Sequence, residues 1–596
     1  MAVSVTWDLS DLYAGVDDPK LTADLEALEE RARRFAESYR GRIASLAPAE
    51  FAAALSEYEL LGRDQQFPGA YAQLLFCADS LNPRHGALLQ QVQEHEVAIG
   101  RNLLFFTLES VAIPDDRFAE LLEHPSVANY RHYLEHIRSE RPHRLTEPEE
   151  RILMEKSLTG RAAFQRLFDE TLSAATFRLT VDGQTTELTL SELLSKLYEP
   201  ERSVREAAAA SLTEGLRERA RLFTYIANTL AHDKAVDDRL THYDHAEAAR
   251  HLSDEVETAT VHTMLDACVA HFDTVARYYR LKREILGLDT LYHYDRYAPM
   301  LPEEGTLPWE EACTLVVDSY ARFTPRLGEM AQRFFTERWV DAEVRPGKRG
   351  GAFCMGIAPG QHPYVLMNYL GRKRDVLTLA HELGHGIHDL LASEQPFLEY
   401  HPSLAAAETA SVFGEMLTFD ALLRQEMPSR ERLSLLCNQL EDIFATVFRQ
   451  TAMYRFEQRL HAARREKGEL VAEQIGALWQ EAMQAMFGDS VVMGEGHRDW
   501  WMYIPHFIHT PFYVYAYAFG QLLVIALYAR YQQEGDAFVP RYLEILSAGG
   551  SRRPADLMAL AGIDISRRQF WEDGLQVVDG LVTRAEEVWR EVQATP

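Results

Sequence analysis

The 596-residue sequence predicts a mainly α-helical protein with a small amount of β-structure. Two observations support this fold class. Apolar residues recur at helical spacing through most of the chain. The helical pattern is broken in two places, where an alternating segment and a glycine-rich segment indicate short strands. A hydrophobic fraction of 47% is ample for large buried cores.

The N-terminal part of the chain is predicted to be helical. The segment LTADLEALEERARRFAESYRGRIASL, which begins at Leu21, combines an apolar stripe with alternating charges on the outer face. The first break, FRLTVDGQTTELTL (residues 177–190), alternates apolar and polar residues around Asp182-Gly183, which predicts a β-hairpin. A helix is expected to restart at Ser191. We therefore predict an N-terminal helical domain that ends in this hairpin, residues 1–195, and a second domain, residues 196–596.

The second break, RPGKRGGAFCMGIAPGQHPYVLMNYLG (residues 345–371), ends in a short apolar run that predicts a strand. This strand, PYVLMNY, is either an ordinary core strand or an edge strand that pairs with an extended peptide. The glycine-rich GKRGGAFC is either a flexible flap or part of a hairpin. It lacks the GxxxxGK followed by Ser or Thr of a phosphate-binding loop.

A helix over residues 376–391, with Asp375 as its N-cap, is predicted next. Its apolar stripe faces one way, and His381, His385 and His388 fall on the other side. A solvated helix face normally carries lysine or arginine, and none occurs in these residues. The glycines at 384 and 386 each cost roughly 1 kcal/mol relative to alanine, so they indicate that another segment approaches the helix closely.

The sequence HELGH in this helix matches the HExxH pattern of zinc peptidases. His381 and His385 stand one turn apart, about 5 to 6 Å between their Cβ atoms, so both imidazoles can reach one zinc ion. Glu382 lies at the flank of the pair, where a carboxylate can take a proton from water.

A catalytic zinc needs a third protein ligand. His388 lies about 10 Å along the helix axis from His381, so one ion does not readily reach all three histidines. Another arrangement, HExxHxxGxxH, is excluded because residue 391 is leucine. Glu408, set among alanines, is the remaining candidate, since a buried carboxylate is costly unless it binds metal or pairs with a cation. Glu415 is expected to hydrogen-bond a ligand histidine.

The late segment DWWMYIPHFIHTPFYVYAYAFG (residues 499–520) is dense in aromatic residues. It is either an aromatic core or an apolar wall with polar tips, supplied by His506, His509, Tyr513 and Tyr515. Hydrolysis of a peptide at zinc creates an oxyanion, which neutral hydrogen-bond donors stabilise. These four residues are therefore candidate catalytic donors.

The stretch LTLAHELGHGIHDLL followed by AAAETASVFGEML closely resembles the M3 family of zinc oligopeptidases, in its oligoendopeptidase F branch. Further similar stretches are WDLSDLY, YDRYAPM, GKRGGAFC, PYVLMNY and PHFIHTPFYVYAYAFG. The resemblance implies a mostly helical, two-lobed body around a deep substrate channel, with a small sheet near the zinc helix. It also makes residues 196–596 the catalytic zinc peptidase domain.

The same resemblance implies roles for individual residues. His381, His385 and Glu408 bind one zinc ion per chain, and Glu382 is the general base. Tyr515 aligns best with the family's catalytic tyrosine and His506 with its histidine. A small slip of the alignment would give these roles to Tyr513 and His509.

Composition excludes several classes of partner. Lys and Arg total 61 against 90 Asp and Glu, and the net charge of −29 repels phosphate backbones and anionic membranes. No stretch approaches the roughly 18 to 20 apolar residues of a membrane span. The five cysteines are few and form no CxxC pair, and the first twenty residues lack the features of a signal peptide. The sequence therefore predicts a cytoplasmic protein without nucleic-acid or membrane partners.

Together these features predict a zinc endopeptidase that cleaves internal bonds of short, unfolded oligopeptides. The alternative enzyme is a helical HExxH metallocarboxypeptidase, which would need a cation to hold the substrate's C-terminal carboxylate. A helical binding scaffold with an inactive site is disfavoured, because every expected catalytic residue is present.

Overall fold

A computed structural model describes residues 5–300 and 306–594 and confirms the mainly α-helical fold. In the first half of the chain the helices are α1 Pro19–Tyr39, α2 Pro48–Ala78, α3 Pro83–Ala112, α4 Asp115–Leu122, α5 Arg131–Ser139, α6 Glu147–Ser157, α7 Arg161–Ser173, α8 Leu190–Ser195, α9 Arg202–Arg217, α10 Ala220–Leu240, α11 Ala248–Ser253, α12 Thr258–Ala270 and α13 Phe272–Ile285. In the second half they are α14 Trp309–Phe323, α15 Pro325–Thr336, α16 Lys373–Leu391, α17 Leu404–Ala407, α18 Ser411–Leu423, α19 Ser429–Ile443, α20 Arg449–Lys467, α21 Ala472–Phe487, α22 His506–His509, α23 Tyr515–Glu534, α24 Val539–Ser547, α25 Pro554–Ala559 and α26 Arg568–Ala594. The strands are β1 Phe177–Val181, β2 Gln184–Leu188, β3 Val340–Asp341, β4 Phe353–Met355 and β5 Tyr364–Leu366.

The chain forms two compact units, each built from three separate segments. Unit 1 comprises Met1–Arg141, Gly305–Gln425 and Leu527–Asp564. Unit 2 comprises Pro142–Glu304, Glu426–Ala526 and Ile565–Pro596. Each of the predicted domains, 1–195 and 196–596, is one continuous stretch of chain, whereas each of these units combines three separate stretches. That division stays a prediction.

The predicted N-terminal helix is α1 in unit 1. Pro19 occupies its first turn, and the side chain of Asp18 caps it by accepting a hydrogen bond from the backbone N–H of Lys20. Its buried residues recur at helical spacing, and Phe35, near the C-terminal end of the helix, packs against Phe106 of α3. This apolar face joins α1 to α2 and α3 in one hydrophobic cluster.

The predicted hairpin is present in unit 2. Strands β1 and β2 pair antiparallel, with Val181 opposite Gln184. Asp182 and Gly183 both have positive φ, 52° and 76°, as a two-residue hairpin turn requires. Helix α8 begins at Leu190, one residue before the predicted start, because Thr189 caps it: the Thr189 backbone N–H donates to the Glu192 carboxylate.

Unit 1 contains a three-stranded sheet in the order β3-β5-β4, with β3 parallel and β4 antiparallel to β5. Of the two alternatives for PYVLMNY, the core strand is confirmed and the edge strand is wrong. This segment supplies β5, the central strand, whose three residues Tyr364–Leu366 are fully buried. An apolar run signals burial on both faces, which is typical of a central strand. The two edge strands are β3 and β4, and β4 comes from the glycine-rich segment.

A buried lysine fixes the glycine-rich segment to the sheet. The end of this segment forms β4, which pairs antiparallel with β5, so the segment is part of a hairpin and not a flap. The Lys348 ammonium has no exposed surface and lies 2.7 Å from the Asp341 carboxylate. It also donates to three backbone carbonyls, those of Asp341, Glu343 and Met367. Because a buried cation must be fully paired, these contacts hold the start of the segment against β3 and the end of β5.

Among the described residues, no single helix is both long and apolar enough to cross a membrane. Helices α3 and α4 pass that test only as a pair, and the chain bends by 104° between them.

Candidate metal centre

Helix α16 carries the HExxH residues and begins at Lys373, three residues before the predicted start. Asp375 is not the N-cap. It lies in the first turn, where its carboxylate accepts hydrogen bonds from the backbone N–H groups of Leu370 and Arg372, at 2.8 and 3.1 Å. The carboxylate therefore accepts hydrogen bonds from N–H groups that precede the helix, and not from N–H groups within its first turn. The helix ends at Leu391, as predicted.

His381, His385 and Glu408 come together, each offering one ligand atom within 4.8 Å of the others. The Glu408 Oε2 atom lies 3.3 Å from Nε2 of His381 and 3.5 Å from Nε2 of His385. It is the one such group of His, Cys, Asp and Glu found in the described ranges. Two imidazole nitrogens and one carboxylate oxygen are a donor set of catalytic zinc sites. The side chains present therefore fit a zinc ion.

Glu408 and His381 are each oriented by a further hydrogen bond. Glu408 lies in the turn between α17 and α18, and the Ser411 hydroxyl donates to its Oε2 at 2.5 Å. Nδ1 of His381 lies 3.3 Å from Glu415 Oε2, the contact that the sequence predicted for Glu415. When Nδ1 carries the proton, the lone pair of Nε2 is free to bind a metal ion.

The two glycines of α16 are explained by close approach of other segments, as predicted. A Cβ atom on Gly384 would lie 2.5 Å from the backbone of both Ala410 and Ser411, at the start of α18. A Cβ atom on Gly386 would lie 2.3 Å from the ring of Phe334. Glycine at 384 therefore lets the turn that carries Glu408 reach the two histidines.

Glu382 is buried beside the metal-ligand candidates. Burial raises the pKa of its carboxyl to about 7, although the charge of His381 and a hydrogen bond from the Cys354 backbone N–H act in the opposite direction. A carboxyl group with a pKa near neutrality can both accept and release a proton at neutral pH.

The charges of the metal-ligand candidates shift one another's pKa values. Burial disfavours the His381 cation, but the hydrogen bond to Glu415 and the charge of Glu408 outweigh it and raise the His381 pKa to about 9. Burial lowers the pKa of His385. Burial also opposes ionisation of Glu408, yet the two histidines hold the pKa of Glu408 below its usual range. Because a metal needs deprotonated ligands, it would compete with these protons.

A cavity of about 560 Å³ opens beside this group in unit 1. His388 lies on its wall and outside the metal-ligand group, as its position along the helix predicted. Its side chain is 3% exposed and its Nε2 atom has no hydrogen-bond partner. The cavity is lined by Ala352, Phe353, Cys354, Met355, Gly356, His381, Glu382, His385, His388, Asp389, His401, Pro402 and Ala407.

The four candidate donors of the late aromatic segment lie in unit 2. Tyr515 is fully buried and its hydroxyl donates to Asp254 at 2.8 Å. His509 pairs with Asp169 at 2.8 Å. The hydroxyl of Tyr515 and one ring nitrogen of His509 are therefore already engaged, and their catalytic roles stay predictions.

His506 is half-buried, and its Nε2 lies 3.4 Å from the Tyr517 hydroxyl. The Tyr517 side chain is exposed, and its ring centroid lies 5.1 Å from that of Tyr513. The sequence reasoning did not select Tyr517. Tyr513 lies before the start of α23 and Tyr517 lies in its first turn, so no helical spacing in the sequence pointed to Tyr517.

Comparison with known proteins decides the family. Residues 195–577 match the family model of peptidase family M3, and residues 109–177 match that of oligopeptidase F. The chain belongs to peptidase family M3. This M3 protein is accordingly a metallopeptidase, as its sequence predicted.

Named relatives and solved structures agree with the family. Oligopeptidase PepF of Bacillus subtilis is 27% identical over 99% of this chain and 88% of its own length. The oligoendopeptidase F homolog of Borreliella burgdorferi is 24% identical over 96% of both chains. The crystal structure of oligoendopeptidase-F from Enterococcus faecium shares the fold with a TM-score of 0.71, at 22% identity over 96% of this chain and 99% of that one.

Proposed function

We propose that this M3 peptidase is a zinc-dependent endopeptidase that hydrolyses internal bonds of short, unfolded oligopeptides. The observation that supports it best is that His381 and His385 of α16 meet Glu408, which lies in the turn between α17 and α18, with Glu382 on the wall of the adjoining cavity. One zinc ion per chain and a cytoplasmic location are part of the proposal.

In this proposal Nε2 of His381, Nε2 of His385 and Oε2 of Glu408 hold the metal. A zinc ion bound there supplies Lewis acidity, which polarises the scissile carbonyl group and lowers the pKa of water. Glu415 fixes the orientation of the His381 ring, and the Ser411 hydroxyl fixes the Glu408 carboxylate. These two contacts set the direction of the ligand atoms before the metal arrives.

Glu382 is the general base in this proposal. Its carboxylate accepts a proton from the attacking water and passes it to the nitrogen of the leaving amine. Burial raises its pKa to about 7, which favours both transfers near neutral pH. The backbone N–H of Cys354 donates to this carboxylate and holds it beside strand β4.

Strand β4 is the proposed docking edge for the substrate. Its residues Phe353–Met355 line the cavity, and in the described sheet β4 pairs with β5 on one side only. An extended peptide can add to such an edge through main-chain hydrogen bonds. A folded domain does not offer a free extended strand, so the proposed substrates are short or unfolded.

We further propose that His506 and a neighbouring tyrosine stabilise the oxyanion of the transition state. Tyr513 and Tyr517 are the favoured tyrosines, since the Tyr515 hydroxyl already donates to Asp254. Tyr515 and His509 remain the alternatives. Replacing each tyrosine by Phe and each histidine by Ala, one at a time, would identify the residues that stabilise the oxyanion, because only their loss should lower kcat strongly.

A quenched-fluorescence peptide acetylated at its N-terminus and amidated at its C-terminus tests this function. We expect cleavage at an internal bond, loss of activity with a chelator, and recovery on addition of zinc. The metallocarboxypeptidase alternative predicts cleavage only of the matched peptide with a free C-terminal carboxylate. That result would overturn the proposed endopeptidase activity.

A further inference from the structure

We propose that Asp389 forms a cation-binding subsite in the cavity, so that the enzyme prefers peptides carrying an ammonium or guanidinium group close to the cleaved bond. This inference rests on the proposed endopeptidase function and names its substrate class. The cationic group is either a lysine or arginine side chain or the α-amino group of a short peptide.

The first observation is that the Asp389 carboxylate lines the cavity without a partner. Within the described residues it makes no hydrogen bond or ion pair, and the cavity wall contains no lysine or arginine. Burial alone raises its pKa to about 7, with no neighbouring charge acting on it. A desolvated carboxylate is costly unless it is paired, so a ligand that brings a cation would supply the missing interaction.

The second observation concerns His388, the neighbour of Asp389 on the same wall. The His388 side chain is 3% exposed, and its buried Nε2 atom has no hydrogen-bond partner. Burial lowers its pKa to about 3, so the ring is neutral. The wall next to Asp389 is therefore formed by a neutral ring and carries no cation that would compete with a ligand for the carboxylate.

The third observation is the close fit of the carboxylate over Gly356, beside strand β4. A Cβ atom on Gly356 would lie 2.3 Å from Oδ2 of Asp389. Any larger residue at 356 would displace the carboxylate from the wall next to the proposed docking edge. The absence of a side chain at Gly356 is thus what allows Asp389 to occupy this position.

The spacing along α16 places the subsite relative to the cleaved bond. Asp389 follows the metal-ligand candidate His385 by four residues, which is about 6 Å along the helix. An extended peptide advances about 3.3 Å per residue. The cationic group is therefore expected within about two residues of the scissile bond.

Peptides that differ at single positions test the subsite. A blocked parent peptide would carry lysine, arginine, norleucine or glutamate at each of the two positions before and after the cleaved bond. A version with a free α-amino group separates the two sources of cation. At the position whose side chain reaches Asp389, we expect kcat/KM for the lysine peptide to exceed that for the norleucine peptide by roughly 10- to 100-fold. This ratio is typical of a hydrogen bond to a charged group.

Two variants connect the preference to Asp389. Asp389→Asn keeps the shape and removes the charge, so the lysine-to-norleucine ratio should fall to near one. Asp116→Asn is the matched control, because Asp116 is exposed in the first turn of α4 and the change in net charge is the same. This control should keep the wild-type ratio, which separates a local subsite from the general attraction of a protein of net charge −29.

Binding and melting provide readouts that do not depend on turnover. In a Glu382→Gln background, calorimetry should show the lysine peptide binding more tightly than the norleucine peptide, and Asp389→Asn should remove the difference. Asp389→Asn should also melt no lower than wild type, since it removes an unpaired buried carboxylate.

Three outcomes would overturn the subsite. One is cleavage of blocked peptides without a cation preference at any position, which leaves the proposed function intact. Another is equal binding of the two peptides. The third is a lower melting temperature of Asp389→Asn with equal loss of activity on all peptides, which would make Asp389 structural. Failure to cleave any blocked peptide would instead refute the proposed function, and the binding measurement would still decide the subsite.

Discussion

Replacing Gly384 by alanine should weaken metal binding without touching a ligand. The added Cβ atom would lie 2.5 Å from the Ala410 carbonyl oxygen and 2.5 Å from Ser411 Cα. Carbon atoms in ordinary contact are about 3.5 to 4.0 Å apart, so the backbone must move by roughly 1 Å. That backbone follows Glu408 directly. Zinc–ligand distances tolerate about 0.2 Å, so the Glu408 carboxylate would leave its bonding position.

The expected loss in zinc affinity for Gly384→Ala is roughly 10- to 100-fold, the range seen when the support of a metal ligand is disturbed. Stability should change less. Overpacking costs about 1 to 3 kcal/mol, and alanine recovers up to about 1 kcal/mol of helix propensity. Competition with a chelator measures the affinity, and melting of the metal-free protein measures the packing cost separately.

Gly100→Ala is the matched control for this prediction. Gly100 lies in α3 of the same unit, and no atom lies within 4 Å of a Cβ added there. This control should gain up to about 1 kcal/mol of stability and bind zinc as wild type does. If Gly384→Ala bound zinc with wild-type affinity and melted like Gly100→Ala, the packing explanation of the metal centre would be refuted.

Three further changes have expected outcomes. Glu382→Gln should retain zinc and peptide binding but lose roughly 10²- to 10⁴-fold in kcat, and a wild-type rate would show that another group activates water. Tyr515→Phe should destabilise the protein by roughly 1 to 3 kcal/mol in thermal melting, because it removes a buried hydrogen bond to Asp254, whereas kcat should change only a few-fold. Lys348→Met should cost roughly 3 kcal/mol or more, since it leaves the buried Asp341 with Arg345 alone, and unchanged melting would contradict the anchoring role of Lys348.

Features encoded by short-range spacing were predictable from the sequence. The four-residue interval of His381 and His385 fixes their common helix face, and Asp182-Gly183 fixes the hairpin turn. Glu408 was also accessible, because a carboxylate among alanines suggests a buried, bound group.

Features that depend on which segments become neighbours were not predictable. The apolar run of β5 predicted a strand but not that β3 and β4 flank it on its two sides. The spacing of the late tyrosines did not show that the Tyr515 hydroxyl donates to Asp254, a residue distant in sequence. Both facts arise from long-range packing, which local patterns do not record.

The interleaving of the two units has a consequence for biosynthesis. The third segment of unit 1 begins at Leu527, so this unit is incomplete until several hundred residues after Arg141 have been made. At about 5 to 20 residues per second, that interval lasts tens of seconds. The cluster from Leu28 to Leu134 lies entirely in the first segment and can collapse early on the ribosome. A second cluster must wait, because its N-terminal part, from Trp7 to Val92, packs against Ile357, Tyr364 and Leu366. During that interval the apolar side chains of the N-terminal part stay exposed. Exposed apolar surface makes the nascent chain more prone to aggregation than the folded enzyme, and it is also the surface that chaperones bind.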